Sequence, residues 1–197
     1  MTPDHERSGI EPTHGLLMAA GASRRMGQPK ALLPFRDSTF VEQLLAHFLA
    51  VCETVTIVGG VHAHSIRAVV GERARVVLVP DWSRGMRASL RAGLRHTPPG
   101  AVLLTHIDRP NIARSTLQVL VNRPERMPLI PVFRGQRGHP VWIPGWLRQR
   151  LLKTDDTPLR DVFARSGYVR VSVDDPGIVE NINSRLEYDR LRARERN

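Results

Sequence analysis

Several residue types are scarce in this sequence, and each scarcity removes a class of structure. The single cysteine, Cys52, excludes an internal disulfide and a CxxC metal site, so we expect a reduced thiol in apolar packing. No apolar run approaches the length that crosses a bilayer, and residues 1–13 lack the apolar centre of a signal peptide. We therefore expect a cytoplasmic protein that does not enter a membrane.

Acidic residues are also scarce. The sequence has 19 Asp and Glu against 29 Lys and Arg, which gives a formal net charge of +10. This balance favours anionic partners, namely nucleotides, phosphorylated cofactors or nucleic acid. Because aromatic residues are only 5% of the chain and no recognition-helix, RRM, KH or zinc pattern is present, a nucleic-acid-binding module is the weaker interpretation.

The order of apolar segments predicts an α/β fold. Apolar or β-branched runs typical of buried strands occupy residues 15–20, 54–58, 74–79, 101–105, 127–133 and 169–173. Helical patterns lie between them, at residues 39–51, 64–70, 83–94 and 115–121, with two short helices within residues 146–165. This alternation indicates one domain, residues 15–197, with a mainly parallel, Rossmann-like sheet flanked by helices. Residues 1–14 are expected to be a flexible leader, and residues 134–144 a small β-hairpin.

The most informative stretch is GLLMAAGASRRMGQPKALLPF, residues 15–35. A buried strand ends there in small residues, Gly21 to Ser23, whose backbone N–H groups suit an anion. Arg24, Arg25 and Lys30 add positive charge to the same loop. The pattern is neither GxxxxGK[ST] nor GxGxxG, so a P-loop and a dinucleotide fingerprint are unsupported. A solvated basic turn is the alternative, and the clustered cations favour a phosphate-binding loop over it.

This loop resembles the signature loop of the MobA-like nucleotidyltransferases. The resemblance continues along the chain in G-M-x-x-S-L-x-x-G-L from residue 85, in the Asp108 segment HIDRP, in GHP at residues 138–140 and in NIN at residues 181–183. Ser184 and Arg185 depart from it, since Thr-Pro is usual there. The positions that match in the loop itself are Ala19, Ala20, Gly21, Ser23, Arg25, Met26, Gly27 and Lys30.

The resemblance implies roles for individual residues. Arg25, Lys30 and Asp108 would be catalytic, and Asp108 with Asn183 would hold Mg²⁺, for which Mn²⁺ may substitute. The implied nucleotide-binding residues are Ala19, Ala20, Gly21, Ser23, Arg25, Lys30, Gly60, Gly85 and Ser89. The implied acceptor-binding residues are His106, Gly138, His139, Pro140 and Arg160.

The implied activity is transfer of a nucleoside monophosphate from an NTP to a phosphorylated acceptor, with release of pyrophosphate. The motifs look most like the molybdopterin cytidylyltransferase branch, which would make CTP the donor and molybdopterin the acceptor. A molybdoenzyme or its chaperone would then be a further partner. A different acceptor, GTP as donor, and a non-catalytic cofactor-binding chaperone are the open alternatives.

Overall fold

The computed structural model of the protein describes residues 11–21, 23, 26–81, 85–123, 126–153 and 157–195. The strands in these ranges are β1 (Thr13–Ala19), β2 (Pro34–Phe35), β3 (Ser38–Thr39), β4 (Val55–Gly59), β5 (Arg75–Leu78), β6 (Ala101–His106), β7 (Leu129–Phe133), β8 (Gln136–Arg137), β9 (Val141–Ile143) and β10 (Val169–Ser172). The α-helices are α1 (Phe40–Leu49), α2 (Ala63–Val70), α3 (Met86–His96), α4 (Arg114–Val121), α5 (Gly145–Lys153), α6 (Leu159–Ser166) and α7 (Arg185–Arg194).

The central sheet has the order β10-β7-β9-β6-β1-β4-β5, and β8 pairs with β7. β1 runs parallel to both of its neighbours, β4 and β6, whereas β9 runs antiparallel to β6 and β7. The chain leaves β1 toward β4 and β5 and later returns to its other side with β6. The strand order therefore reverses beside β1, where open α/β sheets bind ligands at the carboxyl ends of their strands. The predicted α/β fold is confirmed.

The two faces of the sheet carry separate cores because successive strand residues point to opposite sides. Along β1, Leu17 and Ala19 face the side covered by α1, α2 and α4. Leu16 and Met18 face the side covered by α3, α5 and α6. Helix α3 lies close to the sheet there, since a Cβ on Gly93 would come within 2.8 Å of a Leu16 methyl carbon.

A third apolar cluster packs the end of the loop after β1 and the residues that follow it against the C-terminal segment. It contains Met26, Leu33, Phe35, Phe40, Ile182, Tyr188 and Leu191. The Tyr188 hydroxyl donates to the carbonyl of Pro34 at 2.8 Å, and the Phe40 ring packs edge-on against Tyr188. Helices α1 and α7 both begin with a capping box, through Thr39 with Glu42 and Ser184 with Glu187. This cluster fixes residues 182–184 beside the loop.

Several predicted boundaries are wrong by a few residues. The leader ends before residue 14, because Thr13 already pairs in β1 and the Glu11 carboxylate accepts the N–H of Gly145 at the start of α5. Helix α1 ends at Leu49, so Cys52 lies after it, although burial of its thiol is confirmed and raises its pKa to about 12. Thr157 and Pro158 are a suitable N-cap and first helical residue, which predicts a helix that begins at Pro158. Helix α6 begins one residue later, at Leu159, and Pro158 is its N-cap.

The predicted hairpin at residues 134–144 is present in a different form. β8 pairs back onto β7 through a turn in which Arg134 and Gly135 both have positive φ. β9 does not pair with β8 and instead enters the main sheet between β6 and β7. A second small hairpin, formed by β2 and β3, was not predicted from the sequence, because each of its strands has only two residues. In the described ranges, no helix combines the length and apolarity needed to cross a bilayer.

Candidate active site

A pocket of about 250 Å³ opens at the carboxyl ends of β1 and β6, beside the point where the strand order reverses. The loop after β1 contributes its first wall, and the residues that follow β6 contribute the second. The N-terminal turn of α3 closes the third side. The lining residues are Met18, Ala20, Gly21, Ser23, Lys30, Gly85, Met86, Ser89, His106, Ile107 and Asp108. Eight of the sequence-predicted site residues therefore meet in one pocket: Ala20, Gly21, Ser23, Lys30, Gly85, Ser89, His106 and Asp108.

The loop after β1 is held in shape by its own hydrogen bonds. Ser23 has a φ of 52°, which brings its carbonyl to the N–H of Met26 at 2.8 Å. The Ser23 hydroxyl accepts the backbone N–H of Lys30 at 3.0 Å, so the two ends of the loop are tied together. The predicted catalytic residue Arg25, like Arg24, lies outside the described residues.

Asp108 reaches the pocket just after β6. Its Oδ1 atom is buried and accepts no hydrogen bond from the described residues. Its backbone carbonyl accepts the N–H of Ile182 at 2.8 Å, which brings the C-terminal segment beside it. A buried carboxylate oxygen without a protein donor is a suitable ligand for a hard cation such as Mg²⁺. The residue types at this position therefore fit a divalent metal.

Asn183, the second predicted metal ligand, has a different contact. Its Oδ1 accepts a hydrogen bond from the Lys30 ammonium at 2.6 Å, and Asn183 is not among the residues that line the pocket. Asp174 and Asp175 are the alternative carboxylates if Asp108 is not the metal ligand, but both oxygens of Asp175 already accept hydrogen bonds. They accept from the N–H of Ala113, the Thr116 hydroxyl and the N–H of Gly177, so Asp175 fixes the start of α4. Asp174 is exposed.

A second, more apolar pocket of about 340 Å³ adjoins the first and shares four of its residues. It extends between α3 and the start of α6, where Pro158 and Leu159 line it. The apolar spacing of Met86, Leu90 and Leu94 predicts that all three face the core. Leu90 and Leu94 are buried, but the prediction is wrong for Met86, which forms the pocket rim and is 63% exposed. The full lining is Met18, Gly85, Met86, Arg87, Leu90, Leu104, His106, Pro158 and Leu159.

Two histidines meet at the floor between these pockets. The rings of His106 and His139 contact edge to face with centroids 4.9 Å apart. His139 is packed behind His106, and its Nδ1 lies 3.3 Å from the carbonyl oxygen of Leu104. Burial lowers the pKa of His139 to about 3, and repulsion from the positive charges of Arg109 and of protonated His106 adds to this shift. Burial also lowers the pKa of His106, while the charge of Asp108 opposes that shift. Both rings are therefore neutral near pH 7.

Some predicted site residues lie outside both pockets. The side chain of Ala19 faces the α1 core because its strand position is odd where Met18 and Ala20 are even. Gly60 follows β4, and its carbonyl accepts the N–H of Ala63. Arg160, with its side chain 83% exposed, pairs with Asp161 beside the apolar pocket.

The GHP segment supports the site from behind and does not line it. A Cβ on Gly138 would come within 2.4 Å of the Ile178 carbonyl oxygen, so only glycine fits this contact. The N–H of His139 and the guanidinium of Arg109 both donate to that same carbonyl. Pro140 follows a cis peptide bond after His139. Gly138, His139 and Pro140 therefore line neither pocket and pack behind His106, and their acceptor-binding role stays a prediction.

The sequence did not predict which apolar residues line the two pockets. Apolar lining residues without a predicted site role include Met18, Ile107, Pro158 and Leu159. The role of Met18 was predictable from the alternation of side chains along a strand. Met18 lies on the same face as Ala20, two residues later, which was already assigned to the site. Nothing in the sequence indicated that the start of α6 would meet α3.

The fold and the pocket together are those of an α/β protein with its candidate ligand site at the carboxyl ends of the sheet strands. The sequence profile of the MobA-like NTP transferase domain matches residues 15–171. The chain belongs to this family of nucleotidyltransferases.

Individual relatives support and broaden that assignment. The chain is 22% identical over 184 residues to the molybdenum cofactor cytidylyltransferase of Escherichia coli K12, covering 92% of this chain and 95% of the relative. It is 37% identical over 155 residues to the nicotine blue oxidoreductase of Paenarthrobacter nicotinovorans, covering 71% and 74%. These two relatives of the chain are named for two different activities.

Solved structures agree with the fold. The crystal structure of Rv0371c from Mycobacterium tuberculosis H37Rv superposes with a TM-score of 0.81 at 27% identity, covering 91% of this chain and 96% of that one. A further crystal structure of Rv0371c is a complex with manganese, at a TM-score of 0.76, 24% identity and coverages of 91% and 97%.

Proposed function

We propose that this chain transfers a nucleoside monophosphate from CTP to the phosphate of a molybdopterin-type acceptor and releases pyrophosphate. In this reaction an acceptor phosphate oxygen bonds to the α-phosphorus, and the bond from the α-phosphorus to the bridging oxygen breaks. The observation that carries the proposal is one pocket lined by Gly21, Ser23, Lys30 and Asp108 at the strand-order reversal. No general base is needed, because the attacking phosphate is already an anion.

The cationic loop has the chemistry to hold a triphosphate. Lys30 would neutralise charge on the β- and γ-phosphates, while the exposed backbone at Gly21 allows close approach of an oxyanion. Arg25, two residues beyond Ser23, is proposed to add a second cation. Phosphoryl transfer depends mainly on positioning and charge stabilisation, which are the contributions such a loop makes.

Asp108 is proposed to hold Mg²⁺, or Mn²⁺ in its place, together with the nucleotide's phosphates. Its buried Oδ1, which accepts no hydrogen bond from the described part of the chain, supports this role, and the manganese complex of the mycobacterial structural relative is consistent with it. Within the described ranges, no group of three His, Cys, Asp or Glu side chains converges to hold a metal. The metal would polarise the α-phosphate when bound. We therefore expect divalent binding to require the nucleotide.

The preference for CTP over GTP rests on the cytidylyltransferase resemblance and on Ala20. The Ala20 side chain lines the pocket, so a glycine in its place would leave more room for a purine. Calorimetric titration with the four NTPs and Mg²⁺ is the test, and tighter binding of GTP than CTP would reject this preference. An Ala20→Gly variant should bind GTP better relative to CTP.

A second candidate function is an oxidoreductase, which the 37% identical relative favours. Such an activity would use the same pocket without releasing pyrophosphate or requiring Asp108 as a metal ligand. The two candidates separate in one assay series. Pyrophosphate release from each NTP, with molybdopterin cofactor and a panel of phosphorylated acceptors, tests the transferase. Oxidation of reduced nicotinamide nucleotides with quinoid dyes, without metal, tests the oxidoreductase.

A further inference from the structure

We propose that Asn183 is a positioning residue that holds the Lys30 ammonium at the pocket, and that it is not a ligand of the metal. The inference rests on the proposed function, because Lys30 is the lysine of the proposed phosphate loop. It assigns a different task to the closing N-I-N segment from the one the family resemblance implies.

The contact between the two side chains carries the argument. Lys30 Nζ lies 2.6 Å from Asn183 Oδ1, across 153 residues of sequence. A magnesium ion would have to sit about 2.0–2.1 Å from the same oxygen, in near-octahedral geometry. An ammonium and a divalent cation on one amide oxygen would repel each other strongly at such a separation. In this structure the oxygen binds the Lys30 ammonium, and the repulsion disfavours a metal ion on the same atom.

Both partners are held from behind, so the contact is preorganised. The backbone N–H of Lys30 donates to Ser23 Oγ, which fixes the start of the lysine side chain. On the other side, the backbone N–H of Asn183 donates to Glu187 Oε2 at 2.7 Å, within the capping box of α7. Ile182 is buried in the third cluster and donates its N–H to the Asp108 carbonyl. The side chain of Asn183 is thereby directed at Lys30.

A neutral amide suits this task better than a carboxylate. Asn183 orients the ammonium through one hydrogen bond and leaves its positive charge intact for a phosphate. An aspartate would also accept the hydrogen bond, but its charge would partly neutralise Lys30. The amide thus keeps the site electropositive, in line with the net charge of +10 of the whole chain.

The sequence offers a clean spectroscopic test, because Lys30 and Lys153 are its only lysines. Protein labelled with ¹³C-lysine gives two side-chain Cε–Hε signals. Lys153 is exposed at the end of α5 and serves as the internal reference for a freely moving lysine. In the ligand-free wild type, we expect the Lys30 signal to show restricted motion and a shift distinct from that of Lys153. In Asn183→Ala, the Lys30 signal should move toward the Lys153 signal and gain mobility.

Three further variants make the test specific. Asn183→Asp keeps an oxygen acceptor and should retain the restricted Lys30 signal. Asn181→Ala changes an exposed amide in the same segment and should leave that signal unchanged. Asn183→Ser, a smaller polar replacement, repeats the Asn183→Ala experiment should that protein fail to fold. Thermal unfolding of each variant identifies samples that are folded.

Ligand binding then separates positioning from metal ligation. Loss of one charge-assisted contact predicts about tenfold weaker CTP binding to Asn183→Ala, with no added effect in a Lys30→Ala background. The Mn²⁺ affinity of the CTP complex, measured by electron paramagnetic resonance, should stay within twofold of wild type. The proposal is overturned by an unchanged Lys30 signal in Asn183→Ala, or by a Mn²⁺ affinity that falls while CTP affinity does not. If wild type binds no NTP, the proposed function fails, and the ligand-free Lys30 signal still decides the role of Asn183.

Discussion

The buried His139 makes the stability of this protein depend on pH in a direction that the structure fixes. Its ring is packed behind His106, and burial lowers its pKa from the ordinary 6.5 to about 3. In the unfolded chain the same imidazole takes up a proton near pH 6.5. The unfolded state therefore binds more protons than the folded state at any pH between about 3 and 6.5. Stability should be full above pH 6.5 and fall as the pH is lowered through that window.

The size of the effect follows from the shift. Each pH unit below 6.5 costs about 1.4 kcal/mol, so lowering the pH from 7.5 to 4.5 should remove about 2.7 kcal/mol through His139 alone. His139→Asn is the matched variant, because its amide nitrogen can donate to the Leu104 carbonyl that Nδ1 now contacts. This variant should be less stable than wild type at pH 7.5 through lost packing, and less sensitive to acid.

Urea unfolding followed by tryptophan fluorescence at pH 7.5, 6.5, 5.5 and 4.5 measures both proteins. The expected result is a free energy of unfolding that falls by about 2–3 kcal/mol more in wild type than in His139→Asn across this range. Parallel pH profiles for the two proteins would refute the reasoning. They would mean that His139 is either already protonated in the folded state or accessible to water.

Three further predictions test the candidate site and the packing and hydrogen bonds that hold it in place. Lys30→Ala and Arg25→Ala should each lower kcat/KM about 10²–10³-fold, as loss of one preorganised donor does, with unchanged melting temperature; wild-type turnover in both would remove the loop from the mechanism. Gly93→Ala should lower the free energy of unfolding by about 1–3 kcal/mol in urea titrations, because its Cβ would meet the Val58 and Leu16 methyl groups. Asp175→Asn should destabilise the fold by about 1–3 kcal/mol through the start of α4. It should leave Mn²⁺ affinity unchanged, and a lost metal site would instead restore Asp175 as a ligand.

Local sequence pattern was sufficient for the main elements of the fold. Three patterns each predict one element and its buried residues: the apolar run that forms β1, the β-branched run of β4, and the helical spacing of Leu90 and Leu94 in α3. Short connections between strands and helices then favour parallel neighbours, whereas the reversal of strand order beside β1 is known only from the structure. β9 was harder to interpret, because its three residues gain their place only from contacts with β6 and β7.

The candidate site was predictable where it depends on strand ends and on the loop pattern. Gly21, Lys30 and Asp108 meet because the carboxyl ends of β1 and β6 are adjacent. The contact from Lys30 to Asn183 was not predictable, because it depends on how α7 packs on the third cluster. Motif resemblance assigned His139 to the acceptor side, whereas its burial is a consequence of packing against the Ile178 carbonyl and His106.

The proposed cytidylyl transfer and the role of Asp108 are tested together by one measurement. It is transfer of labelled CMP from α-³²P-CTP to molybdopterin cofactor, compared between wild type and Asp108→Asn. We expect wild type to form a labelled product and an equal amount of pyrophosphate, in a reaction that requires Mg²⁺ or Mn²⁺. Asp108→Asn should remain folded and form neither, because it lacks the carboxylate proposed to hold the metal at the α-phosphate. Equal, metal-dependent transfer by both proteins would contradict the assigned site, and absence of transfer by wild type with all four NTPs and the acceptor panel would contradict the proposed reaction.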